Sequence, residues 1–110
     1  MERLIWQGFS KEEIIARMEL RVDQEGYYKD FFIAVTDKPN ERLDAHKVPD
    51  KPSCEIFEAP KGNGQHNREI AQHFIEKGCK GDVKFGGEAK YIYWYLMTES
   101  TQEDVLEGII

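Results

Sequence analysis

The sequence predicts an α+β domain, a small mixed, mainly antiparallel sheet of about three strands packed against two main helices. Two runs, residues 31–36 (FFIAVT) and 91–97 (YIYWYLM), are dense in the aromatic and β-branched side chains of buried strands. Residues 11–24 and 65–77 instead repeat apolar side chains at helical spacing. Segments rich in Pro, Gly, Asn and Asp separate these runs, and there is no internal repeat. A chain of 110 residues has room for one core, so a single domain over residues 1–110 is expected.

The first helix begins at a capping box, Ser10-Lys11-Glu12-Glu13, in which serine and glutamate satisfy each other's backbone donors. Ile14, Met18 and Val22 form its apolar stripe, with Ile15 widening it, and Gly26 ends it. Phe31 to Val35 then reads as a strand covered on both faces. Asp37-Lys38-Pro39-Asn40 stops that strand and opens a short helix, with Asp37 as its cap and Pro39 in its first turn. Arg42 and His46, four residues apart, fall on one side of this helix.

Residues 48–53 read as a loop, and residues 54–59 as a second strand. Pro60-Lys61-Gly62-Asn63-Gly64 reads as a flexible turn, since its GxG lacks the rest of a phosphate-binding fingerprint. The second long helix, residues 65–77, turns Ile70, Ala71, Phe74 and Ile75 inward and ends at Gly78. Glu69 and His73 form an i,i+4 pair on its polar side. Zinc at His66, His73 and Cys79 is a weaker alternative, because the spacing matches no standard zinc pattern. Residues 79–89, rich in glycine and charge, read as a mobile connection.

In the last strand Tyr91, Tyr93 and Tyr95 share one face and Ile92, Trp94 and Leu96 the other. The tyrosine row reads as core rather than a base-stacking platform, for no lysine or arginine interleaves it. Thr101-Gln102-Glu103-Asp104 opens a short acidic C-terminal tail.

Net charge of −6, from 21 acidic and 15 basic residues, disfavours tight nonspecific nucleic-acid binding, which draws on a basic face. No apolar run approaches the roughly 20 residues that cross a bilayer, so no membrane partner is expected. Cys54 and Cys79, far apart and without a CxxC neighbour, read as reduced thiols of a cytoplasmic protein.

Phe32-Ile33-Ala34-Val35-Thr36, followed by Asp37, Pro39, Arg42, Leu43 and His46, resembles the second motif of the GIY-YIG nuclease superfamily. There a Tyr-Ile-Gly-hydrophobic-Thr strand leads through a turn into a helix bearing an essential arginine, and Arg42 falls at that arginine. The resemblance covers about residues 26–77 and implies a GIY-YIG-like fold. It also implies phosphodiester cleavage with Mg²⁺ or Mn²⁺ and a tyrosine-activated water. Arg42, Glu69, His46 and Tyr28 are then the catalytic candidates, with Glu69 as metal ligand and His73 and Tyr27 as binding residues. Phe32 and Ala34 stand where the family has tyrosine and glycine, and Gly26-Tyr27-Tyr28 is the nearest counterpart of its first motif.

These departures favour a diverged domain without robust catalysis, a binding or regulatory module for nucleic acid or a protein partner. An active metal-dependent endonuclease is the alternative, and an unrelated small acidic interaction or inhibitor protein the second. Arg42, His46, Glu69 and His73 are expected to line one polar groove.

Overall fold

A computed structural model describes residues 3–48 and 54–103. The loop expected over residues 48–53, Val48 excepted, and the end of the acidic tail lie outside the described residues. The elements in chain order are β1 (Ile5–Trp6), α1 (Lys11–Glu25), β2 (Phe31–Thr36), α2 (Pro39–Ala45), β3 (Cys54–Glu58), α3 (Gly64–Glu76), β4 (Lys80–Asp82) and β5 (Tyr91–Leu96). Short 3-10 turns at Tyr28–Asp30 and Pro60–Gly62 precede β2 and α3.

The fold is α+β, with the sheet order β1-β3-β5-β2-β4. β5 is central and antiparallel to both β2 and β3, so the two apolar runs are neighbours, paired from Phe31–Leu96 to Thr36–Tyr91. The expected three antiparallel strands are therefore present, and two short parallel strands extend the sheet at its edges. β1 pairs Ile5 with Ile56 and Trp6 with Phe57, and β4 lies along Phe32 to Ala34 of β2. Lys80-Gly81-Asp82 carries no apolar residue to announce a strand. Gly81 makes it possible, because a Cβ there would lie 1.8 Å from the Ile33 carbonyl oxygen.

Every residue of β2 is buried, and its alternation divides the molecule into three layers. Phe31, Ile33 and Val35 face α1 and α3, where Ile14, Met18, Val22, Ile70, Ala71 and Phe74 meet them. Phe32 and Ala34 face the other way, towards Leu43 of α2, Val48 and the tyrosines of β5. Phe31 stacks on Trp94 with ring centroids 4.8 Å apart, at the centre of the larger core.

α1 starts at the expected capping box, Ser10 Oγ accepting from the Glu13 amide and Glu13 accepting from the Ser10 amide. Its docking includes a buried carboxylate. Glu55 of β3 accepts from Arg17 Nε at 3.0 Å, from an Arg21 guanidinium nitrogen at 3.1 Å and from the Trp94 indole at 3.3 Å. The Arg21 guanidinium also lies over the Trp94 ring, 5.9 Å from its centroid.

The connection expected to be mobile over residues 79–89 contains β4, and the part after it is pinned by three side chains. Asp37 accepts from the amides of Glu88 and Lys90, at 3.1 and 2.9 Å. Asn67 donates to the Ala89 carbonyl, and Arg68 to the carbonyls of Phe85 and Gly87. Asp37 is thus a loop clamp, and Lys38 takes the N-cap position of α2 that the sequence suggested for Asp37.

Candidate functional site

α2 delivers the guanidinium and the imidazole to one place, as their spacing requires. Pro39 enters at the start of the helix, and His46 closes it, its amide donating to the Arg42 carbonyl at 2.9 Å. Both side chains then turn inward: Arg42 is 6% exposed and His46 fully buried. The imidazole sits among rings, 4.8 Å from Phe32, 5.3 Å from Tyr95 and 5.8 Å from Tyr93, centroid to centroid.

Its polar atoms are satisfied from opposite sides. Nδ1 lies 2.5 Å from the Gln102 carbonyl oxygen, which can only accept, so the network assigns the proton to Nδ1. Nε2 then accepts from the Tyr93 hydroxyl at 3.0 Å. The Gln102 amide donates back to the His46 carbonyl at 2.7 Å, and the Tyr95 hydroxyl donates to the Glu103 carboxylate at 2.9 Å. Burial lowers the His46 pKa below its usual 6.5, and the positive Arg42 adds to this against the Gln102 bond and Glu103. Burial, with the bond to Glu103, raises the Tyr95 phenol, so it is no source of phenolate at neutral pH.

Glu69 and His73 lie on the other side of the sheet. α3 packs against the face made by Phe31, Ile33 and Trp94, while Arg42 and His46 belong to the face made by Phe32, Tyr93 and Tyr95. The expectation of one polar groove shared by Arg42, His46, Glu69 and His73 is therefore wrong. β2 is covered on both faces, and its following short helix covers the face that α3 does not. Glu69 accepts from Lys11 of α1 at 3.1 Å. His73 meets the Phe74 ring edge-on at 5.0 Å, and its buried Nε2 has no hydrogen-bond partner.

Tyr28 packs at the far end of α3, its ring 6.0 Å from Phe74 and under the Lys77 ammonium. Glu69 stands two helical turns away, on the order of 12 Å at 1.5 Å per residue, so Tyr28 and Glu69 do not share a site. Tyr27 is 71% exposed, with the Lys29 ammonium over its ring. The six sequence candidates thus form two pairs on opposite sides of the sheet, Arg42 with His46 and Glu69 with His73, with Tyr28 and Tyr27 apart from both.

A magnesium or manganese ion takes six ligands in octahedral geometry, mostly oxygens from carboxylates, substrate and water. Glu69, a half-exposed carboxylate already paired with Lys11, does not fit that requirement. Among the described residues no three His, Cys, Asp or Glu side chains gather to hold a metal, and this applies equally to zinc at His66, His73 and Cys79. Burial pushes the Cys79 thiol up to about 12, which disfavours the thiolate a metal needs.

Residues beyond the sequence candidates assemble at the N-terminal end of α3. Glu58, Asn63, Arg68, Glu88 and Lys90 border a cleft of about 790 Å³ between the Pro60–Gly62 turn and the pinned loop. Gly64 allows the close approach of these walls, since a Cβ there would lie 1.8 Å from the Glu88 carbonyl oxygen. The sequence signal for this place was the pair of glycine-bearing segments, which identified turns without bringing them together. Comparison with protein-family models, curated proteins and solved structures finds no match to the chain.

Proposed function

We propose that this chain is a GIY-YIG-like domain without robust catalysis, acting as a binding or regulatory module for a protein partner. The observation that carries this reading is the sheet running between Arg42 with His46 and Glu69 with His73. Metal-assisted cleavage needs an anionic ligand, a charge stabiliser and a nucleophile activator converging on one pocket. Here the guanidinium is buried on one side of the sheet and the carboxylate is half-exposed on the other. Phe32 and Ala34 add to the argument, because the phenol of the second motif is replaced by a ring packed on His46.

The cleft at the start of α3 suits a polar peptide segment better than a phosphate backbone. Two acids, Glu58 and Glu88, face two bases, Arg68 and Lys90, and the Lys90 ammonium pairs with Glu88 at 3.3 Å. Nucleic acid is held by an excess of positive charge, while a mixed rim around a preformed loop matches protein recognition. Among the described residues no helix is long and apolar enough to cross a membrane.

The test is cleavage of DNA and RNA with Mg²⁺ and Mn²⁺, comparing the wild type with Arg42→Ala and Glu69→Ala. None of the three proteins is expected to cleave above the metal-only background. Wild-type cleavage that disappears in both variants would establish an enzyme and overturn the reading. A titration of nucleic-acid binding against salt is expected to give a slope near zero; a steep negative slope reassigns the partner to nucleic acid.

A further inference from the structure

We propose that residues 98–103 form an acid-released latch on the α2 side of the sheet, with His46 as its trigger. The inference rests on the local geometry of this segment and is independent of the partner proposed above. After β5 the chain makes a turn closed on itself, the Thr101 amide donating to the Thr98 carbonyl and the Thr98 amide to the Thr101 hydroxyl. Among the described residues, the hydrogen bonds that tie this turn to the rest of the fold go to two places. Gln102 exchanges bonds with His46 through its carbonyl and its amide, and Glu103 accepts from the Tyr95 hydroxyl. The Thr101 hydroxyl lies 2.7 Å from the same Glu103 oxygen.

The attachment is therefore polar and titratable, whereas the ground beneath it is apolar core. β2 contributes the Phe32 ring to the surroundings of His46. β5 contributes the hydroxyls of Tyr93 and Tyr95, α2 contributes Arg42, and residues 98–103 contribute Glu103. At neutral pH the imidazole donates through Nδ1 and accepts through Nε2, and every polar atom of the ring is used.

A second proton changes this balance. It places a hydrogen on Nε2 facing the Tyr93 hydroxyl, which must stop donating and turn. It also puts a positive charge beside Arg42 at a buried position. Glu103 opposes the repulsion but already holds Tyr95. Relief by moving α2 or β5 would open the core around Leu43, Tyr93 and Tyr95, all fully buried. Relief by lifting residues 98–103 breaks a few polar bonds and lets water reach the ring. The second route costs less, so acid uncovers His46 and the Tyr95 hydroxyl while the sheet stays intact. His46 sits at the only kind of side chain whose ordinary pKa lies close to physiological pH.

The experiment is amide hydrogen exchange by NMR on the full chain, as protection factors corrected for intrinsic rate, with the His46 ring titrated in the same samples. As the pH falls from about 7 to about 5, Gln102 is expected to lose protection by up to about tenfold per unit below the ordinary histidine pKa that the uncovered ring recovers, and to level off at the lower midpoint of the covered ring. The amides pairing β2 with β5 should keep theirs. Glu103→Gln is expected to retain the histidine-range loss, and His46→Gln, which still offers a donor to Gln102, to remove it. Protection of Gln102 that is flat with pH overturns the latch. So does protection lost only together with the β2–β5 amides, or a transition that disappears in Glu103→Gln. Should His46→Gln fail to fold, the wild type decides alone, because the loss of Gln102 protection must then end at the midpoint of the ring titration.

Discussion

Phe74→Ala is expected to lower stability by about 3–5 kcal/mol, the cost of truncating a fully buried phenylalanine. Phe74 has no solvent exposure and joins three elements, its ring lying 6.0 Å from Tyr28 before β2 and 6.3 Å from Trp94 of β5. Ile70 and Ala71 lie one turn away on the same stripe, and Trp94 is held by its stack on Phe31. Few neighbours can move into the cavity, which places the loss in the upper part of that range. Denaturant titration measures it. A loss below about 1 kcal/mol would mean that this face of α3 does not pack on the sheet.

Glu55→Ala is the second large effect, expected at about 3 kcal/mol. The carboxylate is 6% exposed and satisfies two guanidinium groups and the Trp94 indole, so its removal orphans three donors. Arg17, 43% exposed, recovers hydration from water, and this holds the loss at the lower end for a broken buried pair. Arg21, 15% exposed over the Trp94 ring, cannot do so without leaving the aromatic face, although Glu25 remains as its partner. Glu55→Gln should cost less, since the amide oxygen still accepts from one arginine. Equal losses for the two variants would show that the negative charge, which both remove, carries the docking of α1; no loss in Glu55→Gln would show that charge plays no part.

Much of the fold was legible because its elements carry strong periods. The capping box at Ser10, the stripe from Ile14 to Val22 and the Ile70–Phe74 face needed no tertiary information. The aromatic alternation of β5 separated the tyrosine face from Trp94 correctly, and the reading of those tyrosines as core holds, Tyr93 and Tyr95 being fully buried. The edge strands were not legible. β1 has two residues and β4 three, too few to display a period, and both form only by lying along a longer neighbour.

The connection over residues 79–89 illustrates the opposite error. Its glycines suggested mobility, but its order comes from Asp37, 51 and 53 residues away along the chain from the amides it clamps. Local composition carries no trace of such a partner. The candidate site failed for a related reason. The i,i+4 spacing of Arg42 and His46 was sufficient to bring them together. A strand buried on both faces also required cover on both sides. What the sequence did not state was which helix covers which face, and that assignment separates His46 from His73.

The division of these residues by the sheet is tested most directly by a double-mutant cycle on Arg42→Ala and Glu69→Ala, measured by denaturant titration of the wild type, both single variants and the double variant. Residues on opposite faces that share no partner should give losses that add within about 0.5 kcal/mol. Arg42→Ala should be the costlier single change, because it opens a nearly buried position, while Glu69→Ala removes a half-exposed pair with Lys11. Additive losses are the predicted result. A coupling of about 1 kcal/mol or more would place the guanidinium and the carboxylate in one site and contradict the account.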